Sequence, residues 1–571
     1  MRRLLLFFIL IIAFFFRFNN LNWDQNFHLH PDERFLTMVT LAMSLPESLE
    51  EYFNQKISPF NPANIGFNFY VYGVFPLVLT KFLAVNLGVD NYNEITVLGR
   101  FLSALVDFLT VIFVYKTIKL LFKKFKNVSL LVLRVVPLLA AFFYSVSVYP
   151  IQAAHFFTTD TFLNFFMLGS FYFILKNLEV NRFLYFIFSS LLFALALASK
   201  ISAIYIFPLN LGVLFLIVIS KKNNLFKKIT HYMLYMILYV VFSYLFLRIF
   251  NPYYFEKPSF FDFSLNHNFY QSIKLLMSFS NPDVWYPPAV QWINKPWYGL
   301  LLTTFLVGLG PMNFIVMMVG LVFLLKNFRL KIKNFIIFLV ILWVLGYFVY
   351  QSSQFVKSIR YTIYLYPFFA IFGGVGLGVI INLVKKNILI NYVIRCALCV
   401  ILLFWPLLFS TIYFHSHTRV LASEWIYKNL KNDSVILGEH WDDPLPLMME
   451  KNFGKFFRVE LLPVFDPDTF EKWQKIKELL KKADYYVLSS NRGWGSIPTV
   501  PSRYPLMSKY YQVLLSGNCR EQKKLTGYCF KKIKTFEPYY YQFIKYPERW
   551  VEETFTVYDH PTVLIYEKNK D

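Results

Sequence analysis

The chain has 571 residues, of which 57% are hydrophobic and only 16% are charged. A soluble protein of this size needs far more charge to cover its surface. This composition excludes a soluble fold and predicts a polytopic α-helical membrane protein. The formal net charge is +23. Because the lysines cluster in short loops between apolar runs, membrane topology explains the excess better than nucleic-acid binding does.

The first predicted element is an apolar run behind two arginines, MRRLLLFFILIIAFFFRF. No small-residue cleavage site follows the run, so we expect an uncleaved first helix. The run is short for a membrane span. Arg17 is therefore expected to reach the far interface by snorkelling.

Further apolar runs reach or approach the roughly 20 residues that span a bilayer. If the cationic clusters between the runs face the cytoplasm, the positive-inside rule predicts about eleven spans in a multi-pass plasma-membrane protein. The predicted spans lie near residues 4–18, 94–120, 132–150, 159–176, 183–199, 201–219, 229–250, 298–325, 335–350, 362–384 and 388–410.

The segment 67–88 is apolar enough to cross, but we predict an interfacial or re-entrant helix on the outer side. Counting it as a crossing would place the lysine cluster at 116–126 outside the cell. Residues 1–410 then form a transmembrane domain. The outer face carries the loop 19–93 with its juxtamembrane helices, the loop 251–297, and a tail that starts at residue 411.

The tail, 411–571, reads as an extracytoplasmic α/β domain. SEWIYKNL predicts a helix with Ser423 as its N-cap, and DTFEKWQKIKELLKKA predicts an amphipathic helix. DSVILGE and DYYVLSS predict buried strands. TFTVYDHPTVLIYEK predicts a final hairpin that turns at YDHP.

The chain contains four cysteines. Cys519 and Cys529 lie in the polar tail and are a candidate disulfide if the tail is outside the cytoplasm. Cys396 and Cys399 lie in an apolar run and are interpreted as packing residues.

The short stretch LHPDERFLT holds two adjacent acids, Asp32 and Glu33. Pro31 fits the first turn of a helix, so the acids are expected near its N-terminus, where the helix dipole favours negative charge. The alternative is catalytic. A carboxylate where the chain leaves the bilayer is partly desolvated, so its pKa can be tuned for proton transfer.

The same stretch allows a metal-binding interpretation. His28, His30 and Asp32 alternate, so an extended strand would put them on one face, where they could ligate a divalent metal. No downstream histidine pattern supports this alternative, and no other cofactor is indicated.

Four further charged residues are expected at membrane depth on the outer side. Asp160 and Lys200 each stand at the end of an apolar run, and Lys357 and Arg360 are three residues apart, which places them on one helix face. Helix capping, snorkelling and ordinary juxtamembrane charge are the structural alternatives. Together the acids and cations suit group transfer from a lipid phosphate to a hydroxyl, because a base takes the hydroxyl proton and the cations stabilise the departing phosphate.

Aromatic residues fill the loop NPDVWYPPAVQWINKPWYG at 281–299, which is expected to cover this cavity. Trp285, Trp292 and Trp297 either stack on sugar or isoprenoid groups or anchor the loop at the membrane interface.

Several motifs of residues 1–410 resemble the GT-C fold glycosyltransferases of the protein O-mannosyltransferase and aminoarabinose-transferase type. DERFLTMVTLAMS is similar to the acidic motif of their first outer loop, although the aminoarabinose type has a Gly-Arg pair where this chain has Arg34-Phe35. The other similar segments, in order, are FNFYVYGVFPLVLTKFL, VLGRFLSALVDFLTVIFVYK, TTDTFLNFF, ALASKISAIYIFP and RYTIYLYP.

The resemblance implies a sugar donor linked to dolichyl or undecaprenyl phosphate, and a lipid, protein or polysaccharide acceptor. It implies Asp32 as the general base with Asp160 beside it, and Lys200 and Arg360 as candidates for the carrier phosphate. Glu33 is a further catalytic candidate, and Lys357 and Tyr361 are further candidates for substrate or phosphate binding. A transporter or flippase of lipid-linked glycans is the alternative, since it would use the same cations without a base.

Overall fold

The computed structural model describes residues 2–123, 130–219, 224–327, 332–383, 388–451 and 453–569. Residues up to 410 are mostly helical. Their α-helices are α1 (Arg2–Phe18), α2 (Pro31–Ala42), α3 (Leu49–Phe53), α4 (Phe75–Leu87), α5 (Tyr92–Phe122), α6 (Leu130–Ser145), α7 (Val148–Ala154), α8 (Asp160–Val180), α9 (Phe183–Ser199), α10 (Phe207–Ile219), α11 (Leu225–Phe250), α12 (His267–Ser278), α13 (Gly299–Leu301), α14 (Pro311–Lys326), α15 (Ile332–Ser353), α16 (Tyr366–Leu383) and α17 (Ile388–Ser410).

Short helices of other types join these elements. A π-helix occupies Leu302–Leu309. The 3-10 helices are Pro62–Ile65, Ile201–Ile206, Pro252–Tyr254, Pro287–Trp292, Ile359–Leu365, Thr411–Tyr413, Ile497–Thr499, Tyr539–Gln542 and Glu548–Trp550.

Helices lie at all eleven segments predicted to span the membrane. Six helices in the described ranges are long and apolar enough to cross, and up to eight if each of two bent pairs counts as one span. The predicted span 298–325 is not a straight helix. It bends by 108° where the π-helix meets α14, because Gly310 has a φ of +92° and Pro311 follows it.

The segment predicted to be interfacial forms α4, which has only 13 residues. At 1.5 Å per residue this helix is about 20 Å long, which is less than the ~30 Å of a hydrocarbon core. Much of the cationic charge behind the predicted orientation, at 124–129, 220–223, 328–331 and 384–387, lies outside the described residues. The orientation therefore stays a prediction.

Arg17 does not snorkel, so that prediction is wrong. Its side chain is fully buried and its Nε lies 2.6 Å from Oδ2 of Asp107, in the middle of α5. Its Nη1 donates to the carbonyl of Ser145 at 3.0 Å. A buried arginine needs such partners because an unpaired charge in a low-dielectric interior is very costly.

The C-terminal residues form a five-stranded mixed sheet between helices, as the sequence predicts for an α/β domain. The strand order is β2-β1-β3-β5-β4; β1 pairs in parallel with β2 and β3, and β5 pairs antiparallel with β3 and β4. The elements are α18 (Thr418–Asn429), β1 (Val435–Glu439), β2 (Arg458–Leu462), α19 (Phe470–Lys482), β3 (Tyr485–Leu488), α20 (Arg492–Ser496), α21 (Pro505–Ser516), α22 (Cys519–Thr526), β4 (Phe530–Phe536), α23 (Glu553–Thr556) and β5 (Val563–Lys568).

Alternating strand residues bury both faces of this sheet. Ile436 and Val487 pack with α18, whereas their neighbours Leu437 and Tyr486 pack with α19 and α21. The predicted strands β1 and β3 and the helix α19 are confirmed. The structure also joins Cys519 to Cys529, with Cα atoms 5.1 Å apart, and leaves Cys396 and Cys399 as exposed free thiols in α17.

Two details of the predicted tail are wrong. His417, not Ser423, caps α18; Ser423 lies inside the helix and donates to the carbonyl of Arg419. The predicted hairpin is a short helix, α23, followed by the single strand β5. Strand β5 takes its partners from β3 and β4, so long-range pairing has overridden the local turn signal.

Glu439 makes the stability of this domain depend on pH. Its buried carboxylate accepts hydrogen bonds from Tyr486 Oη (2.7 Å) and Tyr511 Oη (2.5 Å). Burial outweighs these bonds and raises the pKa of Glu439 from 4.5 to about 7. The folded chain therefore holds a proton that the unfolded chain releases, and stability falls as pH rises from 4.5 to 7, by about 3 kcal/mol.

Glu439→Gln is expected to remove this pH-dependent loss of stability. The melting temperature of the variant minus that of the natural protein should therefore increase as pH rises from 5 to 8. Thermal unfolding in detergent at several pH values measures the difference. Glu424→Gln, at an exposed position on α18, is the control. If the difference in melting temperature between Glu439→Gln and the natural protein stayed the same at every pH, Glu439 would not be the source of the pH dependence.

Candidate active site

Asp32 and Glu33, in the first turn of α2, point in different directions. His30 caps the helix by accepting the Glu33 N–H at 3.2 Å, and Pro31 is the first helical residue. Successive residues of an α-helix point about 100° apart. The Asp32 side chain consequently remains 35% exposed, whereas Glu33 is fully buried.

Asp32 and Asp160 are brought together by one guanidinium group. Arg360 Nε donates to Asp160 Oδ2 at 2.6 Å, and Arg360 Nη1 donates to Asp32. Lys200 Nζ donates to the other oxygen of Asp160 at 2.8 Å. These four predicted site residues therefore form one charged cluster, which we call the cleft cluster.

The residues of the cleft cluster lie where helices begin or end. Asp160 is the first residue of α8. Lys200 lies between α9 and the 3-10 helix that begins at Ile201. Arg360 lies in the first turn of the 3-10 helix Ile359–Leu365. Each side chain is thus held at a helix end, where the backbone changes direction.

The two carboxylates of the cleft cluster differ in their surroundings. Asp160 is 3% exposed and bonds to both cations, whereas Asp32 bonds only to Arg360 among the described residues and is 35% exposed. Burial opposes ionisation of Asp32, but the Arg360 guanidinium outweighs it, so the pKa of Asp32 lies below its ordinary value of 3.8. Asp32 is therefore an ionised, reachable acceptor of protons at neutral pH.

Five tyrosines lie close enough to the cleft carboxylates to sense their charge. Only one of them, Tyr361, is a sequence-predicted site residue, and its ring lies 5.4 Å from Lys200 Nζ. They come from segments that are far apart in the chain, which explains why the sequence pattern misses the others. The five are Tyr72, Tyr149, Tyr286, Tyr361 and Tyr558.

The structure places Glu33 outside the cleft cluster. Its carboxylate binds Arg100, with Oε1 2.5 Å from Nη2 and Oε2 2.9 Å from Nε, and accepts the Phe157 N–H at 2.7 Å. Arg100 also binds the Asp24 carboxylate through Nη1 (3.0 Å) and Nη2 (2.8 Å). Burial opposes ionisation of Asp24, but Arg100 lowers its pKa to about 2. This buried group joins the segment between α1 and α2 to α2 itself and to α5.

Lys357 is also separate from the cleft cluster. The 3-10 helix starts only at Ile359, so Lys357 and Arg360 do not share a helix face as predicted. Lys357 Nζ donates to the carbonyl of Phe355 at 3.3 Å. Ser358, which lies between them, caps the helix and ends the extended segment that carries Lys357.

The histidines do not form the alternating strand of the metal interpretation. His28 has a φ of +52°, which turns the chain, and its Nε2 lies 2.8 Å from Asn93 Oδ1. His30 caps α2 and its ring packs between Phe156 and Tyr558. Among the side chains that the structure describes, no group of three His, Cys, Asp or Glu is arranged to hold a metal ion. We therefore derive no step through a metal.

The C-terminal domain reaches the cleft cluster through Glu552. Its Oε1 accepts the Ile359 N–H at 2.9 Å and the Ser358 hydroxyl at 3.1 Å. The Ser358 oxygen in turn accepts the Arg360 N–H at 3.3 Å. Burial raises the pKa of Glu552 to about 7. The backbone that carries Arg360 is thus tied to the last 20 residues of the chain.

A cavity of about 270 Å³ opens beside the N-terminus of α2. Pro31 and Arg34 line one wall, and the C-terminal domain supplies the other with Trp441, Arg492 and Tyr558. Arg34 connects the two walls, because its Nη2 lies 3.2 Å from Oδ1 of Asp443. Pro31, in this lining, is the chain neighbour of Asp32. No local sequence pattern predicts the cavity, because its two walls lie about 400 residues apart.

The aromatic loop 281–299 packs on the C-terminal domain. Trp285 Nε1 donates to the carbonyl of Phe465 at 3.0 Å, and the Trp285 ring meets Trp441 edge-on. Trp292 is buried, whereas Trp285 is 43% exposed and Trp297 is 67% exposed. Burial therefore rules out the role of interface anchor for Trp292 but not for Trp285 or Trp297.

Comparisons with known proteins bear on this architecture. Residues 92–246 match a family model described as dolichyl-phosphate-mannose-protein mannosyltransferase. The oligosaccharyltransferase of Archaeoglobus fulgidus in complex with Zn and sulfate is similar with a TM-score of 0.52 and 12% identity, over 89% of this chain and 71% of that chain. The chain has the GT-C fold.

Two other structures extend the comparison of the GT-C fold. The same archaeal enzyme, AglB, in complex with an inhibitory peptide and a dolichol-phosphate has a TM-score of 0.52 and 12% identity, over 89% of this chain and 72% of that chain. ArnT from Cupriavidus metallidurans has a TM-score of 0.37 and 14% identity, over 82% and 92%. No curated protein sequence matches the chain. Within the GT-C fold, the family match includes Asp160 and Lys200, whereas Asp32 and Arg360 lie outside it.

Proposed function

We propose that this chain is a membrane glycosyltransferase that moves a sugar from a polyprenyl-phosphate carrier to an acceptor hydroxyl on the extracytoplasmic face. The GT-C fold and the mannosyltransferase family match support glycosyl transfer. The structural neighbour that binds a dolichol-phosphate supports a lipid-phosphate donor. The acceptor is a lipid, a protein or a polysaccharide.

The observation that carries the proposal is the asymmetry within the cleft cluster. One carboxylate, on Asp160, is buried and bound by both cations, so it positions Lys200 and Arg360. The other, on Asp32, is bound once and accessible. A general base must be reachable by the hydroxyl that it deprotonates. This difference assigns Asp32 as the base and Asp160 as a positioning residue.

Lys200 and Arg360 are the proposed partners of the carrier phosphate. A guanidinium offers several donors in a fixed plane and suits bidentate contact with phosphate oxygens. When the phosphate binds Arg360, its negative charge offsets part of the positive charge that stabilises the Asp32 carboxylate. The carboxylate therefore becomes a stronger base. Donor binding and activation of the base are thereby coupled through one side chain.

The proposed chemistry is a single inverting displacement. Asp32 accepts the proton of the acceptor hydroxyl while that oxygen forms a bond to the anomeric carbon. The bond between this carbon and the phosphate oxygen breaks, and the phosphate leaves with the bonding electrons. Lys200 and Arg360 stabilise the negative charge that develops on the leaving group. Polyprenyl phosphate and the glycosylated acceptor are the products.

The 270 Å³ cavity beside α2 is the proposed entry for the acceptor. Its lining includes Pro31, which precedes Asp32 in the chain, and charged and aromatic side chains from both domains. Such a mixture suits a hydrated, hydroxyl-bearing substrate better than a lipid chain.

A transfer assay tests the proposal directly. The purified full-length protein in lipid nanodiscs is incubated with polyprenyl-phosphate-linked sugars and candidate acceptors, and release of polyprenyl phosphate is measured. We expect one donor to be consumed only when an acceptor is present. A protein that moves the lipid-linked sugar across the bilayer of a proteoliposome without consuming it would be a flippase, and the enzyme proposal would be wrong.

Arg360→Lys is expected to lower kcat/KM for the donor by roughly 10²–10³, because a lysine cannot reproduce the two-pronged contact that places charge on the leaving phosphate. Lys200→Gln should act in the same direction. Steady-state kinetics with the donor varied measure both effects. Lys56→Gln, an exposed residue of the first outer loop, is the control. Equal kinetics for Arg360→Lys and the control would remove Arg360 from phosphate binding.

A further inference from the structure

A second cleft, with a volume of about 1020 Å³, lies in the C-terminal domain. It is bounded by β4, by residues 494–499 and by the segment 537–548, and we call it the β4 cleft. It shares no lining residue with the cavity beside Asp32. Ligand sites commonly measure about 300–1,000 Å³, so the β4 cleft has room for more than one sugar ring. The proposed transfer reaction leaves it without a role.

The β4 cleft carries uncompensated positive charge. Lys532 and Lys534 both line it, and neither has an ion-pair partner among the described side chains. Lys545, also in the lining, is neutralised by Glu537. The remaining acid, Glu548, is buried, and burial raises its pKa. The charge that a ligand meets is therefore that of the two lysines on β4.

Aromatic surfaces and unused hydrogen-bonding groups accompany these lysines. Trp494, Phe536 and Tyr546 line the β4 cleft. Trp494 Nε1 and Glu548 Oε2 are buried without a hydrogen-bond partner in the described structure. Buried polar atoms normally have partners, so these two atoms are available to a ligand after a small rearrangement. Sugar rings offer apolar faces for aromatic side chains and hydroxyls for such polar groups.

We propose that the β4 cleft binds an acidic oligosaccharide, that is, a sugar chain bearing carboxylate or phosphate groups. The lysines recognise the anionic groups, and the aromatic side chains pack on the rings. Only the identity of this glycan as the acceptor or product of the enzyme rests on the proposed function. Binding itself requires no transfer.

The position of the β4 cleft relates it to the cleft cluster. Glu548 lies in the cleft lining, and Glu552, four residues later, holds the backbone of Arg360 through Ser358 and Ile359. A glycan chain in the β4 cleft would therefore be anchored near one end of the segment that borders the active site. Such a site would keep a growing acidic chain on the enzyme between successive transfers.

Equilibrium binding to the full-length protein in detergent micelles tests the proposal. An oligogalacturonate serves as the acidic probe, and a malto-oligosaccharide of equal length serves as the neutral probe; intrinsic tryptophan fluorescence follows binding. We expect the acidic probe to bind at least tenfold more tightly. The double variant Lys532→Glu, Lys534→Glu should lose at least tenfold in affinity for it. Lys531→Glu, on the same strand but outside the cleft lining, is the matched control and should bind normally.

Three results would overturn the proposal: equal affinity for the two probes, equal loss in Lys531→Glu, or unchanged binding in the double variant. Vesicles that contain phosphatidylglycerol provide a further arm. If the double variant loses vesicle binding but keeps the oligosaccharide, the lysines serve a lipid surface and the proposal is wrong. The assay contains no donor, and Asp32→Asn should bind the acidic probe normally. Failure here is therefore distinguishable from failure of the transfer reaction.

Discussion

Asp32→Asn is expected to lower kcat by roughly 10²–10⁴, the contribution usually made by a positioned general base. The amide keeps the size of the side chain but cannot accept the hydroxyl proton. Folding should be retained, because Asp32 is partly exposed and makes one ion pair, with Arg360. Single-turnover transfer with a polyprenyl-phosphate-linked sugar measures the chemical step.

Glu50→Gln is the matched control, since it neutralises an exposed carboxylate in the same segment between α1 and α5. The pH profile adds a second readout. Because the pKa of Asp32 in the free protein lies below 3.8, titration of this base should not reduce kcat/KM between pH 7 and pH 5. Near wild-type turnover in Asp32→Asn would remove the residue from the role of base.

The second large effect is expected from Arg100→Leu, which leaves Asp24 and Glu33 as buried acids without their cation. Breaking a buried ion pair from one side costs about 3–5 kcal/mol. Asp24 bonds to Arg100 through both oxygens, as does Glu33. We therefore expect a strongly lowered melting temperature and poor recovery of folded protein from membranes.

Two further variants check the origin of this effect. The triple change Arg100→Leu, Asp24→Asn, Glu33→Gln should recover part of the lost stability, since it removes the stranded charges. Lys428→Met breaks an exposed pair with Glu424 and should change stability by less than about 1 kcal/mol. A single variant Arg100→Leu as stable as Lys428→Met would show that the buried group does not hold the segment between α1 and α2 in place.

Hydrophobic periodicity and length were sufficient to locate the membrane helices, because a membrane span needs a long apolar run whatever it packs against. They could not show the 108° bend at Gly310, since a glycine inside an apolar run is compatible with a straight helix as well. They also could not show the role of Arg17. A lone arginine near a helix end reads as a surface residue until its partner, Asp107, is placed beside it by packing.

The candidate site was predictable in its residue types and only partly in its arrangement. Asp32, Asp160, Lys200 and Arg360 stood out because charge is rare in this chain, and the structure joins all four. Glu33 could not be separated from Asp32 by sequence, because adjacent acids look equivalent until a helix turns one of them inward to Arg100. Four of the five tyrosines and Glu552 were missed, since they come from segments far apart in the chain and only folding brings them to the site.

The dependence of the cleft on the far end of the chain affects how the protein is made. Glu552 supports the backbone at Arg360, and Asp559 accepts hydrogen bonds from Gln152 Nε2 (3.0 Å) and Tyr413 Oη (3.0 Å). While the ribosome is still adding residues beyond 540, the helices are already in place but these contacts do not yet exist. In the unfinished polypeptide the backbone at Arg360 would thus lack the support of Glu552, so the cleft cluster would be held in place only after the C-terminal residues have been added.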